Sequence, residues 1–218
     1  MQSTGSGRPS PPTPPSAQTK DEAQATLTTA PGEVATVEAQ EGHVYIGSLK
    51  NGLRHGTGKM TRVNGATYEG EWHEGARHGT GRFSDGTGTV YEGQFQNDKR
   101  HGKGKIVWSD GRIYDGEWED DQRHGHGNFT DQLGNVYDGG FVRDALEGHG
   151  ITHRVDGGSY EGEFVDGDRQ GYGQFTGKDG DGQFVYQGNY VGNKRHGPVR
   201  SLRLPLPAPL RSCPSCPP

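Results

Sequence analysis

Tyrosine recurs in this chain at a fixed interval of 23 residues, and only the last interval is stretched to 26. The members of the series are Tyr45, Tyr68, Tyr91, Tyr114, Tyr137, Tyr160 and Tyr186. Such self-similarity predicts a repeat array, in which each unit buries its apolar face only against its neighbours. The period therefore constrains the fold more than any single residue does.

Each tyrosine begins the same short phrase, as in Tyr68-Glu69-Gly70-Glu71-Trp72. Glycine follows two residues after the tyrosine, and a large apolar residue follows four residues after it. Because successive side chains of a strand point to opposite faces, the phrase predicts a β-strand with one aromatic and one acidic face. The glycine leaves a gap on the aromatic face, and we expect the ring of a neighbouring strand to cover it.

A second phrase, Arg-His-Gly-x-Gly, ends each unit and is predicted to form the antiparallel partner strand. Asn-Gly or Asp-Gly then precedes several of the tyrosines, and this pair between two strands is a strong hairpin signal. The three instances are Asn64-Gly65, Asp110-Gly111 and Asp156-Gly157. Each repeat is therefore predicted to be one β-hairpin.

Apolar residues are scarce in this chain, since hydrophobic types make up only 27 % of it. A thick core cannot form from so little material, so the buried layer must be thin, mostly aromatic and drawn out along the repeat axis. We expect an all-β fold, an elongated single-layer antiparallel sheet of about fourteen strands. The repeats occupy residues 41–197, between a Pro/Ser/Thr-rich arm (1–40) and a Pro-rich tail (198–218), both predicted to be disordered.

Charge and composition exclude several classes of function. The formal net charge of −5 disfavours nucleic-acid binding, which needs a basic footprint. The sequence has neither an apolar run of membrane-spanning length nor a secretory signal, so we expect a cytoplasmic protein. Cys213 and Cys216 lie in the proline-rich tail without the setting of a redox or zinc site, and we interpret them as incidental thiols.

The histidines of the second phrase do not predict a metal site. Successive hairpins lie roughly 10 Å apart along a sheet, whereas zinc ligands lie within about 2.3 Å of the metal. We expect these histidines to tie the hairpin turn to the backbone instead. The Gly-x-Gly elements precede no helix that could bind a phosphate, and an open sheet offers no closed cavity for catalysis. No catalytic, cofactor or metal site is therefore predicted.

An arginine stands before the histidine position in six of the seven units, and Leu146 is the exception. The six are Arg54, Arg77, Arg100, Arg123, Arg169 and Arg195. Ion pairing with the acidic face is the favoured interpretation of this column. The alternative is recognition of an anionic partner or lipid, for which the candidates are Arg77, Arg100 and Arg123.

The complete unit, with Tyr-x-Gly, an aromatic residue and then His-Gly-x-Gly, resembles the MORN (membrane occupation and recognition nexus) repeat. The resemblance covers residues 41–197, although the fifth and sixth units lack the histidine. It implies an elongated, twisted antiparallel sheet with a groove that acts as a binding module. Proteins of this family include radial spoke heads of cilia, junctophilins, protozoan basal-complex scaffolds and enzymes with accessory repeats.

We therefore expect a non-enzymatic scaffold that binds another protein through its aromatic groove, in a cilium or a cytoskeletal assembly. Aromatic rings left partly uncovered in a thin sheet would make the contacts. The candidates are Tyr91, Phe95, Tyr114, Trp118, Tyr137 and Phe141. Two alternatives remain open, a module that associates with acidic phospholipid and the regulatory segment of an enzyme system. The sequence leaves the partner and the oligomeric state undetermined.

Overall fold

A single antiparallel sheet of sixteen strands forms the fold, and every strand pairs with its neighbour in sequence. The computed structural model describes residues 24–28, 34–40, 42–180 and 182–204. The strands are β1 (Gln24–Thr28), β2 (Val34–Gln40), β3 (His43–Lys50), β4 (Leu53–Thr61), β5 (Thr67–His73), β6 (Ala76–Ser84), β7 (Val90–Gln96), β8 (Lys99–Val107), β9 (Ile113–Glu119), β10 (Gln122–Thr130), β11 (Val136–Val142), β12 (Ala145–His153), β13 (Ser159–Val165), β14 (Asp168–Asp179), β15 (Gly182–Val191) and β16 (Lys194–Leu204).

The strands β3 to β16 are seven tandem hairpins, one for each tyrosine of the series. The prediction of an all-β, single-layer antiparallel sheet is thereby confirmed. Within the described ranges, no helix has the length and apolar character that would let it cross a membrane.

The sheet begins earlier than predicted. Strands β1 and β2 lie inside the segment that was expected to be disordered, and β2 extends the ladder by pairing Thr36 with Gly47 of β3. The residues of β2 include Val34, Thr36 and Val37, β-branched types that favour an extended chain. The prediction of disorder for residues 1–23 and 29–33 lies outside the described residues.

The sheet also ends later than predicted, because β16 continues past Pro198 to Leu204. Its register with β15 shifts between Gln187 and Asn189, and Pro198 falls in this irregular stretch. Proline cannot donate to a ladder but is tolerated in a bulge on an edge strand, and β16 is the last strand of the sheet. The tail 205–218, with its two cysteines, lies outside the described residues.

Two-residue turns close the hairpins, and both of their residues adopt positive φ. The turn between β5 and β6 is Glu74 (φ 50°) and Gly75 (φ 88°), and the next is Asn97 (φ 50°) and Asp98 (φ 68°). Positive φ at both central positions defines the type I′ turn, whose twist matches that of the paired strands. Sequence reasoning passed over these turns because most lack the Asn-Gly or Asp-Gly pair.

The predicted Asn64-Gly65 turn does exist, but it lies between repeats. It belongs to a five-residue loop in which the Arg62 amide donates to the Ala66 carbonyl at 2.8 Å and the Gly65 amide donates to Arg62 at 2.9 Å. The Asn64 side chain accepts a further bond from the amide of Ala66 at 3.1 Å. This loop joins the first repeat to the second.

An elongated particle is the first testable consequence. At about 4.8 Å per strand, the fourteen strands of the seven hairpins span roughly 65 Å and β1 and β2 lengthen the sheet further, whereas a compact chain of this length has a radius of gyration of about 17 Å. Small-angle X-ray scattering of the whole chain should give a clearly larger radius. A value near that of a compact globule would contradict the open sheet.

Candidate functional site

A continuous file of rings, the aromatic column, runs along one face of the sheet. Each repeat contributes its tyrosine and, except for Leu49 in the first repeat, an aromatic residue four positions later; each of the first six tyrosines contacts a ring of the next repeat edge to face. The Tyr91 ring lies 5.0 Å from Phe95 at 82° and 5.5 Å from Trp118 at 89°. This geometry favours the interaction of ring quadrupoles, so the column joins every repeat to its neighbour.

Paired glycines make room for each tyrosine ring. Gly70 and Gly81 lie opposite each other in β5 and β6, and the ring of Tyr68 covers both. A Cβ on Gly70 would lie 2.5 Å from the Cα of Gly81, which leaves no space for a larger residue. The gap was predicted correctly, but the ring that fills it comes from the same strand. The Tyr68 hydroxyl donates to the Glu71 carbonyl at 2.9 Å.

The six rings that were predicted to contact a partner all lie in the column and are buried. Their exposed fractions are 4 % or less, for Tyr91, Phe95, Tyr114, Trp118, Tyr137 and Phe141. The expectation that a thin sheet leaves them partly uncovered is wrong. Rings of adjacent repeats pack against each other, and arginine side chains cover them.

The arginines of the second phrase lie on the aromatic face, above the column. The guanidinium of Arg100 is 4.2 Å from the centroid of Trp118 and 5.9 Å from that of Tyr91. A cation over an aromatic face is attracted electrostatically, and the long side chain adds apolar contact. Each arginine thereby shields the column from solvent.

An aspartate from the turn of the following repeat holds three of these arginines in an arrangement that we call the arginine staple. Asp98 Oδ1 accepts from the backbone amide and the Nε of Arg77, both at 3.0 Å, and Arg77 Nη2 donates to the Asp98 carbonyl at 2.5 Å. Arg100 with Asp121 and Arg123 with Asp144 repeat the same three bonds.

The predicted ion pairing of Arg77, Arg100 and Arg123 is therefore present, but the carboxylates come from turns and not from the acidic face. In these pairs the arginine side chains are only 20–26 % exposed. Charge-assisted bonds to a partly covered guanidinium are stronger than ordinary surface ion pairs. The staple thus links consecutive repeats on the aromatic face.

The opposite face carries the predicted acidic side chains, but basic residues of the second phrase lie beside them. Its acidic strands alternate with strands that carry basic residues, so cross-strand pairs form. Examples are Lys59 with Glu69 at 3.3 Å and Arg82 with Glu92 at 2.7 Å. All four side chains are more than half exposed, so each pair contributes little to stability.

The histidines do not tie the turn as expected. Nδ1 of His55, His78 and His101 is buried, and none of these atoms has a hydrogen-bond partner among the described residues. No group of three or more potential ligands in the described part of the chain is arranged to hold a metal ion.

Glu71 holds the bulge of the second phrase instead. Its carboxylate accepts from the amide of Thr80 at 2.8 Å and from the Thr80 hydroxyl at 2.5 Å, and these bonds lower the pKa of Glu71. In the next repeat Gln94 Oε1 accepts from the amide of Lys103 at 2.8 Å. The residue three positions after tyrosine therefore fixes the backbone next to the positive-φ glycine.

A row of partly exposed apolar side chains flanks the column, and we call it the outer row. Its members lie fifteen residues after a tyrosine and are Met60, Phe83, Phe129 and Phe175. Phe83 pairs across the strands with Tyr68, which places the row on the aromatic face. Sequence reasoning missed it, although the same 23-residue period could have revealed it. The outer row is the apolar part of this face that solvent reaches.

Comparison with known proteins identifies the repeat. The MORN repeat family model matches residues 45–67, 68–90, 91–111, 114–134, 137–159, 160–182 and 186–198. The chain belongs to the MORN repeat family. The aromatic column, its glycine pairs and the staples thus lie within MORN repeats, which form a repeat scaffold.

Two further comparisons place this MORN protein among known sequences and structures. None of the curated proteins matches it. A similar solved structure is the TCP domain of SAS-4 (dCPAP) of Drosophila melanogaster, in complex with a proline-rich motif of Ana2 (dSTIL). The sequences are 13 % identical, and the match covers 80 % of this chain and 96 % of that one with a TM-score of 0.44.

Removal of a central ring should destabilise the array strongly. Trp118 is 3 % exposed, and its Nε1 donates to the Gly104 carbonyl at 2.9 Å. We expect Trp118→Ala to lower the free energy of unfolding by about 3–5 kcal/mol, as measured by denaturant melting. The matched control is Trp108→Ala, because Trp108 is only partly buried and lies beside the column. Equal losses for the two variants would contradict the column.

Alkaline pH should also destabilise the protein. Burial raises the pKa of Tyr68, Tyr137 and Tyr160 to about 12, whereas an unfolded tyrosine titrates near 10. The unfolded state therefore releases these protons first, and stability that is complete below pH 10 is lost as the pH rises toward 12. Denaturant midpoints should fall as the pH rises across this window, and tyrosinate absorbance should show the pH at which the tyrosines ionise. Tyrosines that ionise near pH 10 without loss of stability would contradict this expectation.

Proposed function

We propose that this MORN chain is a non-enzymatic scaffold that binds another protein through the aromatic face of its sheet. The outer row carries the proposal, because it presents partly exposed apolar side chains from four repeats along one face; the third and fifth repeats have buried Ile106 and polar Thr152 at this position. Aromatic and arginine side chains are the types that most often dominate protein interfaces. A row of this kind fits an extended or helical segment of a partner.

Recognition of this kind needs no reacting group. The outer row supplies apolar contact, and the stapled arginines beside it supply fixed polar groups. Arg77, for example, lies 5.5 Å from the ring of Phe83, so a partner residue on Phe83 would also meet a guanidinium. The surface combines a buried, rigid base with accessible side chains.

A cytoplasmic setting in a ciliary or cytoskeletal assembly is part of the same proposal. The elongated array supports it, since a long row of equivalent positions can engage a partner over many repeats. The MORN family, to which the chain belongs, includes radial spoke head proteins, and this also supports the proposal.

Acidic phospholipid is the less favoured partner. The three arginines considered for it, Arg77, Arg100 and Arg123, are each paired with an aspartate. A lipid headgroup would have to displace these carboxylates, and the net charge of −5 opposes attraction to an anionic surface.

The outer row can be tested with two adjacent residues of β10. Phe129 belongs to the row, whereas Asn128 is exposed on the opposite face. In proximity labelling and pull-down experiments with the full chain, Phe129→Ser should lose the partners that the wild type captures, and Asn128→Ser should keep them. Circular dichroism melts should show that both variants remain folded.

The lipid alternative is tested in parallel by sedimentation with phosphoinositide liposomes at physiological salt. Binding that disappears when Arg77, Arg100 and Arg123 are all replaced, together with no captured protein, would favour the membrane function. Equal capture by the two β10 variants would remove the outer row as the contact surface.

A further inference from the structure

Among the arginines above the aromatic column, Arg54 has no staple although another repeat follows it, whereas Arg195 lies in the last repeat. In four of the turns the second residue is Asp98, Asp121, Asp144 or Asn193, and each bonds to the arginine of the preceding repeat. The corresponding residue for Arg54 is Gly75, whose amide donates to the Arg54 carbonyl at 2.9 Å but which has no side chain. Arg54 is therefore in the same backbone setting as Arg77 without its carboxylate.

The fifth repeat shows that a missing staple need not leave a free cation. The turn that follows it has Gly167 at the staple position, and the Gly167 amide donates to the carbonyl of Leu146 at 3.0 Å. Because Leu146 stands where the other repeats have arginine, no guanidinium is present there to need a carboxylate. At Arg54 the carboxylate is missing while the guanidinium remains.

The guanidinium of Arg54 has only weak partners. Its Nη1 lies 2.9 Å from the sulfur of Met60, a poor acceptor, and its Cζ lies 4.5 Å from the centroid of Trp72. No ion pair involves Arg54 within the described ranges. Glu74 precedes Gly75 in the turn, but it corresponds to Asp120, which pairs with Lys99 and not with an arginine of the column.

A hollow of about 330 Å³ opens beside this guanidinium on the aromatic face. Its lining includes the cations Arg54, Arg62 and Arg77, and its carboxylate, Asp98, is already bonded to Arg77. Arg62 is exposed and forms no ion pair in the part of the chain that the structure describes. The apolar side of the hollow consists of Met60, Trp72 and Phe83, two of which belong to the outer row. The hollow thus combines excess positive charge with apolar surface.

We propose that this hollow binds a glutamate or aspartate side chain of the partner protein, together with an apolar residue next to it in the partner's sequence. The inference rests on the proposed function and specifies where the partner is anchored. The partner carboxylate takes the place that Asp98 takes on Arg77, with Nε of Arg54 and the nearby Arg62 as donors. The adjacent apolar residue packs on Met60 and Phe83.

The chain itself supports a carboxylate as the occupant. Three of its own arginines are met by aspartate in the same turn position, with Nε to Oδ1 distances of 2.9–3.0 Å. Arg54 has the equivalent backbone contact with Gly75, so a carboxylate can approach it in the way that Asp98 approaches Arg77. Binding energy is available because the bond would be charge-assisted and partly shielded from water by Trp72 and Met60.

The decisive variant restores the missing staple. Gly75 has φ of 88° and Asp98 has φ of 68°, so aspartate is compatible with this turn position. A Cβ on Gly75 would meet only Leu53 Cδ2, at an ordinary 3.8 Å. Gly75→Asp should pair with Arg54 and close the site from within. Gly167→Asp is the matched control, because it makes the same change where Leu146 replaces the arginine.

The probe is a fluorescein-labelled peptide with one glutamate between two leucines in a Gly/Ser background, compared with the same peptide carrying glutamine. By fluorescence anisotropy, the wild-type chain and Gly167→Asp should each bind the glutamate peptide on the order of tenfold more tightly than the glutamine peptide. The preference should disappear in Gly75→Asp. Arg54→Gln should also lose it, which keeps the test valid if one variant folds poorly.

Equal binding of the two peptides to the wild-type chain would overturn the proposal, as would a preference that survives in Gly75→Asp. Phosphatidylserine vesicles are tested in parallel. If the wild-type chain binds the vesicles, Gly75→Asp does not, and neither prefers the glutamate peptide, the ligand is a lipid headgroup and the proposal is overturned as well. If Phe129→Ser loses the captured partner while Gly75→Asp keeps it, the scaffold function stands and only the acidic anchor is wrong.

Discussion

The edge-to-face packing of tyrosine on the aromatic ring of the next repeat is the interaction on which the rest of the structure depends. A sheet of one layer has no second sheet to cover its apolar face, so that face must be covered by its own side chains. Glycine pairs such as Gly70 and Gly81 let the tyrosine ring lie flat on the backbone. The arginines then complete the cover, which explains why rings in so thin a sheet are only 0–4 % exposed.

Different side chains of the aromatic face therefore stabilise the sheet and remain accessible to a partner. The column is inaccessible and sets the spacing of the repeats, whereas the outer row and the arginines above the column meet solvent. The staples add a link from each arginine to the turn that follows it. The tyrosine of the column is the same in all seven repeats, whereas the staple and outer-row positions differ between repeats.

The periodic tyrosines were sufficient to predict the class of fold, the single layer and the hairpins, because each of these follows from local alternation and turn chemistry. The burial of Trp118 and Phe141 could not be read in the same way, since it depends on contacts between repeats and on an arginine 21 residues before its aspartate. The end of β16 does not follow from the sequence, because proline ordinarily ends a strand, although an edge strand tolerates Pro198. The outer row was readable from its period but was overlooked.

The staples also determine where the array can bend. They connect the second repeat to the third, the third to the fourth and the fourth to the fifth, and an Arg169–Asn193 bond connects the sixth to the seventh. At Gly75 and Gly167 no staple forms, although the Asp166 amide donates to the Glu147 carboxylate at 3.1 Å between the fifth and sixth repeats. Mechanically, the scaffold is a stiff block of four repeats between two more compliant joints, so a load applied at its ends would be taken up first at those two glycines.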